Sequence, residues 1–156
     1  STFALLPLLF ERTGTSAKGS ITGLYTVLVE GGDLDEPIAD EVRGILDGHI
    51  ILDRSLAHRG RFPAIDPVGS LSRLMPQIAG EAQQKAARAI RSALAHYEAK
   101  RDLVTLGAYK SGADAQLDRV LASLPQIEAF FGQRGLDPSP LDATLTDLKT
   151  LADQLA

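Results

Sequence analysis

The amino-acid sequence predicts an α/β unit followed by a helical bundle, and two observations support this. Residues 1–80 hold most of the glycines, and their apolar, β-branched runs are separated by a short amphipathic segment, as is typical of α/β units. Residues 81–156 are rich in Ala, Leu and Gln, and their apolar residues recur every three or four positions, as on one helix face. A content of 44% hydrophobic and 23% charged residues fits a folded domain.

The first half is predicted to run in the order helix, strand, helix, strand. The apolar residues before Glu11 predict a helix over 3–10, with Pro7 in its first turns. The continuous apolar run over 21–30 predicts a strand that is buried on both faces. The remaining predictions are a polar loop over 14–19, a Gly- and Asp-rich loop over 31–37, an amphipathic helix over 38–46 and a second strand over 49–53.

The second half is predicted to be helical throughout. A long helix begins at Glu81 and extends past Val104, because its apolar residues share one face and a charged pair lies on the other. Two shorter helices follow over 114–124 and 126–131, with Pro125 opening the second. A rigid break over 137–140 then precedes a final amphipathic helix over 141–155.

Charge and composition exclude several classes of function. Sixteen Lys and Arg against 20 Asp and Glu give a net charge of −4, so no positive field holds nucleic acid or an anionic membrane non-specifically. The absence of Cys excludes disulfides, thiolate metal sites and cysteine nucleophiles, and it fits a reducing cytosol. The apolar opening is too short to span a bilayer and lacks the charge layout of a signal peptide. Because the chain starts in mid-pattern without Met, we expect a trimmed product or a C-terminal fragment.

No established catalytic or metal-binding motif occurs in the sequence. The phosphate loop G-x-x-x-x-G-K-[ST] is absent, as are HExxH, G-x-S-x-G and the EF-hand loop. Asp33, Asp35 and Glu36 cluster in one loop, but turn formation and helix capping explain them better than metal binding. The three histidines are too scattered to form a ligand set, so no metal site is predicted.

A few single residues have both a structural and a functional interpretation. Arg73 lies alone in an apolar segment and by itself is best explained as a salt-bridged surface arginine. Phe62 and Phe131, taken alone, are best explained as core residues. The five basic residues between Lys85 and Arg101 fit a solvated helix face better than a partner-facing stripe.

Several stretches of the sequence are distinctive in combination. They are Glu11-Arg12 with residues 18–22 (KGSIT), 25–31 (YTVLVEG), 36–40 (EPIAD), 45–52 (ILDGHIIL), 63–66 (PAID) and 70–73 (SLSR). Together they resemble the flagellar and type III secretion export ATPases, relatives of the catalytic subunits of the rotary ATP synthase. The resemblance covers residues 1–133 and, more loosely, the remainder. Residues 107–109 (GAY) resemble the flagellar branch, because virulence-secretion relatives tend to have GEY there.

The resemblance implies a fold and a reaction. Residues 1–78 would be the C-terminal part of a RecA-like (P-loop NTPase) core, and residues 79–156 a C-terminal all-α helical domain. The phosphate loop, the Walker B strand and the catalytic glutamate lie upstream in this family. The complete protein is then expected to hydrolyse ATP with Mg²⁺, whereas this part alone is expected to be inactive and to bind no cofactor.

The resemblance also assigns roles to three residues. Arg73 matches the catalytic arginine finger, which reaches the nucleotide bound to the neighbouring subunit and whose guanidinium offsets charge developing on the γ-phosphate. Phe62 stands where the family has a Tyr that packs on the adenine of ATP, and the change keeps the stacking face. Phe131 aligns with a second aromatic residue of the adenine pocket. No metal ligand is implied within this chain.

The resemblance implies partners as well. The family forms homo-hexamers, and residues 107–118 match the helix-turn-helix that touches the central stalk in rotary relatives. Export chaperones and substrates would be further partners, nucleic acid would not, and the protein would be cytoplasmic with peripheral association at the inner-membrane export gate. The alternatives are a virulence secretion ATPase, or a non-enzymatic helical module that binds a stalk, chaperone or export substrate.

Overall fold

The computed structural model describes residues 2–133, 135 and 137–155. Its helices are α1 (Thr2–Phe10), α2 (Pro37–Ile45), α3 (Arg54–His58), α4 (Met75–Ile78), α5 (Glu81–Thr105), α6 (Ala115–Phe131) and α7 (Leu141–Gln154), and its strands are β1 (Gly14–Ser16), β2 (Gly19–Ile21), β3 (Gly48–Leu52) and β4 (Ile65–Ser72). A 3₁₀ turn covers Glu30–Gly32. The chain forms two compact units, Ser1–His49 and Ile50–Ala156.

The first unit consists of two packed helices and a hairpin. α1 packs against α2, and Phe10, Ala39 and Val42 are buried. The ring of Phe10 meets that of Tyr25 edge to face, with centroids 4.8 Å apart. The predicted helices over 3–10 and 38–46 are confirmed, because α2 begins at a proline suited to a first turn and buries one apolar stripe.

Two predictions for the first unit are wrong. The segment 14–19 belongs to an antiparallel hairpin, in which Gly14 pairs with Ile21 and Ser16 with Gly19. The segment 22–29 forms no strand, and Leu24 and Leu28 are each 91% exposed. A strand buried on both faces needs backbone partners on neighbouring strands. Among the described residues, none of the four strands supplies such a partner to this segment.

The second unit joins a small sheet to the helical bundle. β3 pairs with β4, which confirms the strand predicted over 49–53, and the short α3 lies between the two strands. The Arg91 guanidinium of α5 donates a hydrogen bond to the Val68 carbonyl of β4 (3.2 Å), and Val68 packs against the bundle core. β4, α3 and α4 were not predicted, because these segments are too short or too Pro- and Gly-rich to show a period.

Helices α5, α6 and α7 pack on one another around a continuous apolar core. Its buried members are Ala86, Ile90, Ala93, Leu94, Val120, Ile127, Leu151, Ala152 and Leu155. Ile90, Val120 and Ile127 are almost completely removed from water. Each fully buried aliphatic side chain contributes about 1.5–3 kcal/mol, so the bundle is held mainly by apolar burial. The predicted helices from Glu81 and over 141–155 are confirmed.

The prediction of two separate helices over 114–124 and 126–131 is wrong, because α6 runs unbroken through Pro125. Val120 and Ile127 are buried on either side of the proline, so continuing the helix keeps both in the core. Pro125 itself is exposed. Proline has no N–H to donate to the carbonyl one turn earlier, so α6 lacks one helical hydrogen bond at this point.

The chain divides into its two compact units between His49 and Ile50, whereas the sequence places its domain boundary after residue 78. The unit division reflects packing within this chain, where β4 is joined to α5. The domain boundary stays a prediction.

Candidate functional site

The segment that contains Phe62 is bonded to the C-terminal end of α6 by a backbone hydrogen bond and an ion pair. The backbone N–H of Gln133, just beyond α6, donates a hydrogen bond to the Phe62 carbonyl at 2.8 Å. Arg61, the preceding residue, donates from its guanidinium to the Ile65 carbonyl at 2.9 Å. Its other terminal nitrogen lies 3.5 Å from a Glu128 carboxylate oxygen on α6. These contacts place Phe62 and the end of α6 side by side.

Phe131 is the last residue of α6 and lies half-buried at this junction. The Arg61 guanidinium carbon is 5.7 Å from the centre of the Phe131 ring, within cation–π range. Phe130 meets Phe131 edge to face at 5.2 Å, which further fixes the orientation of the ring. Phe131 is thus held by α6 packing and by a neighbouring cation.

Phe62 differs from a core phenylalanine in its exposure. It is 58% exposed, and a cis peptide bond joins it to Pro63. An aromatic ring that is mostly open to solvent, on a residue whose carbonyl is held by the Gln133 N–H, offers a flat apolar face to a planar ligand. The interpretation of Phe62 as a simple core residue is therefore wrong.

Arg73 lies immediately after the last residue of β4 and is exposed. Ser72 then accepts a hydrogen bond from the Met75 N–H through its hydroxyl (3.2 Å), at the start of α4. Arg73 therefore lies in a short connection between the end of β4 and the first turn of α4, not in a long loop. Phe62 precedes β4 and Arg73 follows it, so the structure places them at opposite ends of this strand.

The course of β4 is set by a network around Asp66. The Asp66 carboxylate accepts hydrogen bonds from the backbone N–H groups of Val68 (2.9 Å) and Gly69 (3.1 Å). The Ser70 hydroxyl donates to the Asp66 carbonyl and accepts from the Ile51 N–H of β3 at 3.0 Å. A Cβ at Gly69 would lie 2.6 Å from the Asp66 carboxylate, so any other residue there would displace this carboxylate from its hydrogen bonds. The network orients the strand that leads to Arg73.

The loop between α5 and α6 is fixed by the acidic side chain that caps α6. The Asp114 carboxylate accepts from the backbone N–H groups of Gln116 (3.1 Å) and Leu117 (3.0 Å), as an N-cap does. It also accepts a hydrogen bond from the Lys100 ammonium and lies 2.8 Å from the His96 ring nitrogen. Lys100, the Leu117 N–H and His96 hold the pKa of Asp114 well below its usual range.

A second acidic residue closes the same loop. The Tyr109 hydroxyl lies 2.8 Å from one Asp118 carboxylate oxygen and 3.1 Å from the Asp114 carbonyl. The other Asp118 oxygen accepts from the Gly112 N–H at 2.7 Å. Desolvation and the hydrogen bond to Asp118 raise the pKa of the Tyr109 phenol. The loop is therefore held in one conformation although most of its residues are exposed.

The structure brings together only part of the set predicted from sequence. Phe62 and Phe131 lie on two segments joined by a hydrogen bond, and Arg73 lies at the far end of β4. Sequence reasoning missed Arg61, whose only signal was its position beside Phe62. In the described ranges 2–133, 135 and 137–155, no group of three or more His, Cys, Asp or Glu is placed to hold a metal ion. Across the same ranges, no helix is long and apolar enough to cross a membrane.

Two family models match the chain. Residues 1–72 match the nucleotide-binding domain of the ATP synthase alpha/beta family, and residues 79–150 match the T3SS EscN ATPase C-terminal domain. Among curated relatives, the flagellum-specific ATP synthase of Bacillus subtilis (strain 168) is 46% identical over 97% of this chain and 34% of its own length. The type 3 secretion system ATPase of Pseudomonas syringae pv. syringae is 46% identical over 99% of the chain and 34% of its own length.

Solved structures show the same likeness. The assembled ATPase EscN of the enteropathogenic E. coli type III secretion system superposes with a TM-score of 0.90 at 39% identity, covering 96% of this chain and 36% of EscN. A second structure, of EscN with its central stalk EscO, gives a TM-score of 0.85 at 39% identity over 96% of this chain and 35% of that one.

The fold is thus α/β, the end of a RecA-like nucleotide-binding core followed by a helical domain. The chain belongs to the family of flagellar and type III secretion ATPases, related to the ATP synthase alpha/beta subunits. It spans about a third of the length of the curated relatives it matches.

Proposed function

We propose that the complete protein is an ATP hydrolase that energises type III protein export, and we place it in the flagellar branch. The observation that carries the proposal is Arg73, an exposed arginine at the end of β4 in a chain of this family. A relative named flagellum-specific ATP synthase and one named type 3 secretion system ATPase are equally similar, at 46% identity each. The flagellar assignment rests on residues 107–109 (GAY), and a virulence secretion ATPase is the alternative.

We propose that Arg73 acts on ATP bound to the neighbouring subunit of a homo-hexameric ring. A guanidinium presents a rigid fork of N–H donors to phosphate oxygens and keeps its charge at any physiological pH. Placed on the γ-phosphate, it offsets the charge that develops as the bond to the leaving group breaks. Arginine fingers of this kind raise turnover by about 10³–10⁵-fold. Support for assembly comes from the likeness to the assembled ATPase EscN.

Phe62 and Phe131 would form two walls of the adenine pocket. Phe62 offers an open ring face, and Phe131 is fixed at the end of α6. The sequence contains no G-x-x-x-x-G-K-[ST], so the triphosphate and its Mg²⁺ would be held by parts of the complete protein outside these residues. The chain alone is then expected to be inactive, while it supplies the finger and the base pocket.

The domain boundary proposed after residue 78 is supported by the two family models. The first ends at residue 72 and the second begins at residue 79. Residues 1–78 would complete the ATPase core, and residues 79–156 would form the helical domain.

We infer further that residues 107–118 contact a central stalk. The Asp114 and Asp118 networks hold this loop rigidly, and Leu106 beside it is 80% exposed. EscN, which this chain resembles, has been solved with its central stalk EscO. Export chaperones, export substrates and a peripheral location at the cytoplasmic side of the export gate complete the proposal. The second candidate, a purely non-enzymatic binding module, rests on this loop alone.

ATP turnover by the complete protein separates the two candidates. The wild type is expected to hydrolyse ATP, and Arg73→Ala is expected to lose activity by about 10³-fold or more with an unchanged unfolding midpoint. The matched control is Arg88→Ala, which removes another arginine, on α5. Near-normal turnover of Arg73→Ala would exclude the finger, and absence of turnover in the wild type would favour the binding module.

A further inference from the structure

Arg61 is a charged side chain that is only 9% exposed. Its Nε is buried and makes no hydrogen bond among the described residues. Removing a guanidinium from water is costly unless fixed partners compensate it. Those partners are the Ile65 carbonyl, the Glu128 carboxylate and the face of the Phe131 ring. Arg61 is therefore not an ordinary solvated surface arginine.

The partners of Arg61 belong to two separate segments. Ile65 lies on the segment that carries Phe62, whereas Glu128 and Phe131 lie on the last turns of α6. The bond from the Gln133 N–H to the Phe62 carbonyl joins the same two segments through the backbone. Arg61 is thus the side chain that links the two aromatic residues of the candidate base pocket.

We propose that Arg61 is a positioning residue, which ties the segment that carries Phe62 to the end of α6 that carries Phe131 and so fixes the two walls of the proposed base pocket. The proposal rests on the proposed function, in which both phenylalanines contact the adenine of ATP. Arg61 touches no phosphate in this account, and it acts through the two rings. The Arg61 guanidinium over the Phe131 ring fixes the Phe131 wall of the pocket, and its hydrogen bond to the Ile65 carbonyl fixes the loop that contains Phe62, the other wall.

The three contacts predict which substitutions matter. Lysine at this position keeps a cation near Phe131 but lacks the planar fork that reaches Ile65 and Glu128 at once. Glu128 is half-exposed, so its ion pair with Arg61 is partly screened by water. Glu128→Gln should therefore have a smaller effect than Arg61→Gln, and Arg61→Lys should lie between Arg61→Gln and the wild type.

The test compares two ligands on the complete protein. One is a non-hydrolysable ATP analogue, and the other is inorganic tripolyphosphate, which has the phosphates but no base. Arg61→Gln is expected to raise the dissociation constant of the ATP analogue about tenfold, as loss of one desolvated cation–π contact would. Binding of tripolyphosphate should not change. Arg59→Gln is the matched control, because Arg59 lies two residues away and its exposed side chain bonds only to the Ser55 carbonyl in the described contacts.

The possible results distinguish failure of the Arg61 positioning role from failure of the proposed base pocket. If the wild type prefers the ATP analogue but Arg61→Gln binds it equally well, Arg61 does not position the pocket. Equal weakening of both ligands would show a general structural role and would also overturn the inference. If the wild type binds tripolyphosphate as tightly as the ATP analogue, the base pocket itself is wrong and the inference fails with it. Should Arg61→Gln not fold by circular dichroism, Arg61→Lys decides on the same criteria.

Discussion

The ring of Phe62 allows binding and folding to be separated in one experiment. Because the side chain is 58% exposed, its covered part contributes only about 0.6–1.3 kcal/mol of the roughly 1.5–3 kcal/mol gained by full burial of Phe. Stacking of a nucleotide base on an aromatic ring is worth about 1–3 kcal/mol. In the complete protein, Phe62→Leu keeps most of the apolar burial but loses the flat ring. We expect the dissociation constant for ATP to rise roughly 5- to 150-fold.

The assay is equilibrium binding of a ribose-labelled fluorescent ATP analogue, followed by anisotropy, together with thermal unfolding. Phe62→Tyr is the matched control, since it keeps the stacking face and is the residue that the resemblance assigns to the family. Its affinity should equal that of the wild type within about threefold. Equal affinities of Phe62→Leu and the wild type would refute the assignment of Phe62 to the base pocket. A large fall in the unfolding midpoint of Phe62→Leu would show that the ring is structural instead.

Two further predictions concern the helical bundle. Ile127→Ala should lower the free energy of unfolding by about 2–5 kcal/mol, since Ile127 is fully buried and the substitution leaves a cavity. Urea unfolding measures this change, and Ile78→Ala, at an exposed position, is the control. Equal unfolding midpoints for Ile127→Ala and the wild type would contradict the packing of α6. Asp114→Asn keeps an oxygen that can cap α6 but removes the carboxyl group, whose pKa is lowered by Lys100, the Leu117 N–H and His96. A depressed folded-state pKa stabilises the fold above the ordinary value of 3.8, and this stabilisation is lost as the pH falls from 3.8 through the lower folded-state pKa. The unfolding free energy of the wild type should therefore drop more steeply than that of the variant at acid pH. Parallel pH profiles would contradict the ion pairs at Asp114.

The elements with a strong sequence period were predictable, and those that depend on distant partners were not. α2, α5 and α7 follow from apolar residues at helical spacing, which one segment can satisfy by itself. The run over 21–30 has the composition of a buried strand, but strand pairing depends on backbone groups far away in the chain. The sequence alone predicts a helix boundary at Pro125, because it does not show that Val120 and Ile127 reach the same core on either side of the proline.

In the candidate site, too, contacts between residues far apart in sequence could not be predicted. Arg73 and Phe62 were found through a resemblance carried by contiguous motifs, since the chemistry of a lone arginine or phenylalanine is not specific. Arg61 was missed because its role depends on Glu128 and Phe131, which lie nearly 70 residues further along the chain. The networks around Asp114 and Asp118 were likewise not predicted, because the Asp114 carboxylate meets Lys100 and His96 only once α5 and α6 have packed, and the Asp118 carboxylate meets the Tyr109 hydroxyl only in the folded loop.

We propose that Arg73 completes the ATP site of a neighbouring subunit. Two variants of the complete protein test this proposal, one with Arg73→Ala and one with the phosphate-loop lysine replaced. Each alone should be nearly inactive. If the finger acts across the subunit interface, subunits mixed in equal amounts should recover about a quarter of the wild-type turnover, because one pairing in four joins an intact site to an intact arginine. Mixed rings that form but recover no activity would contradict the claim.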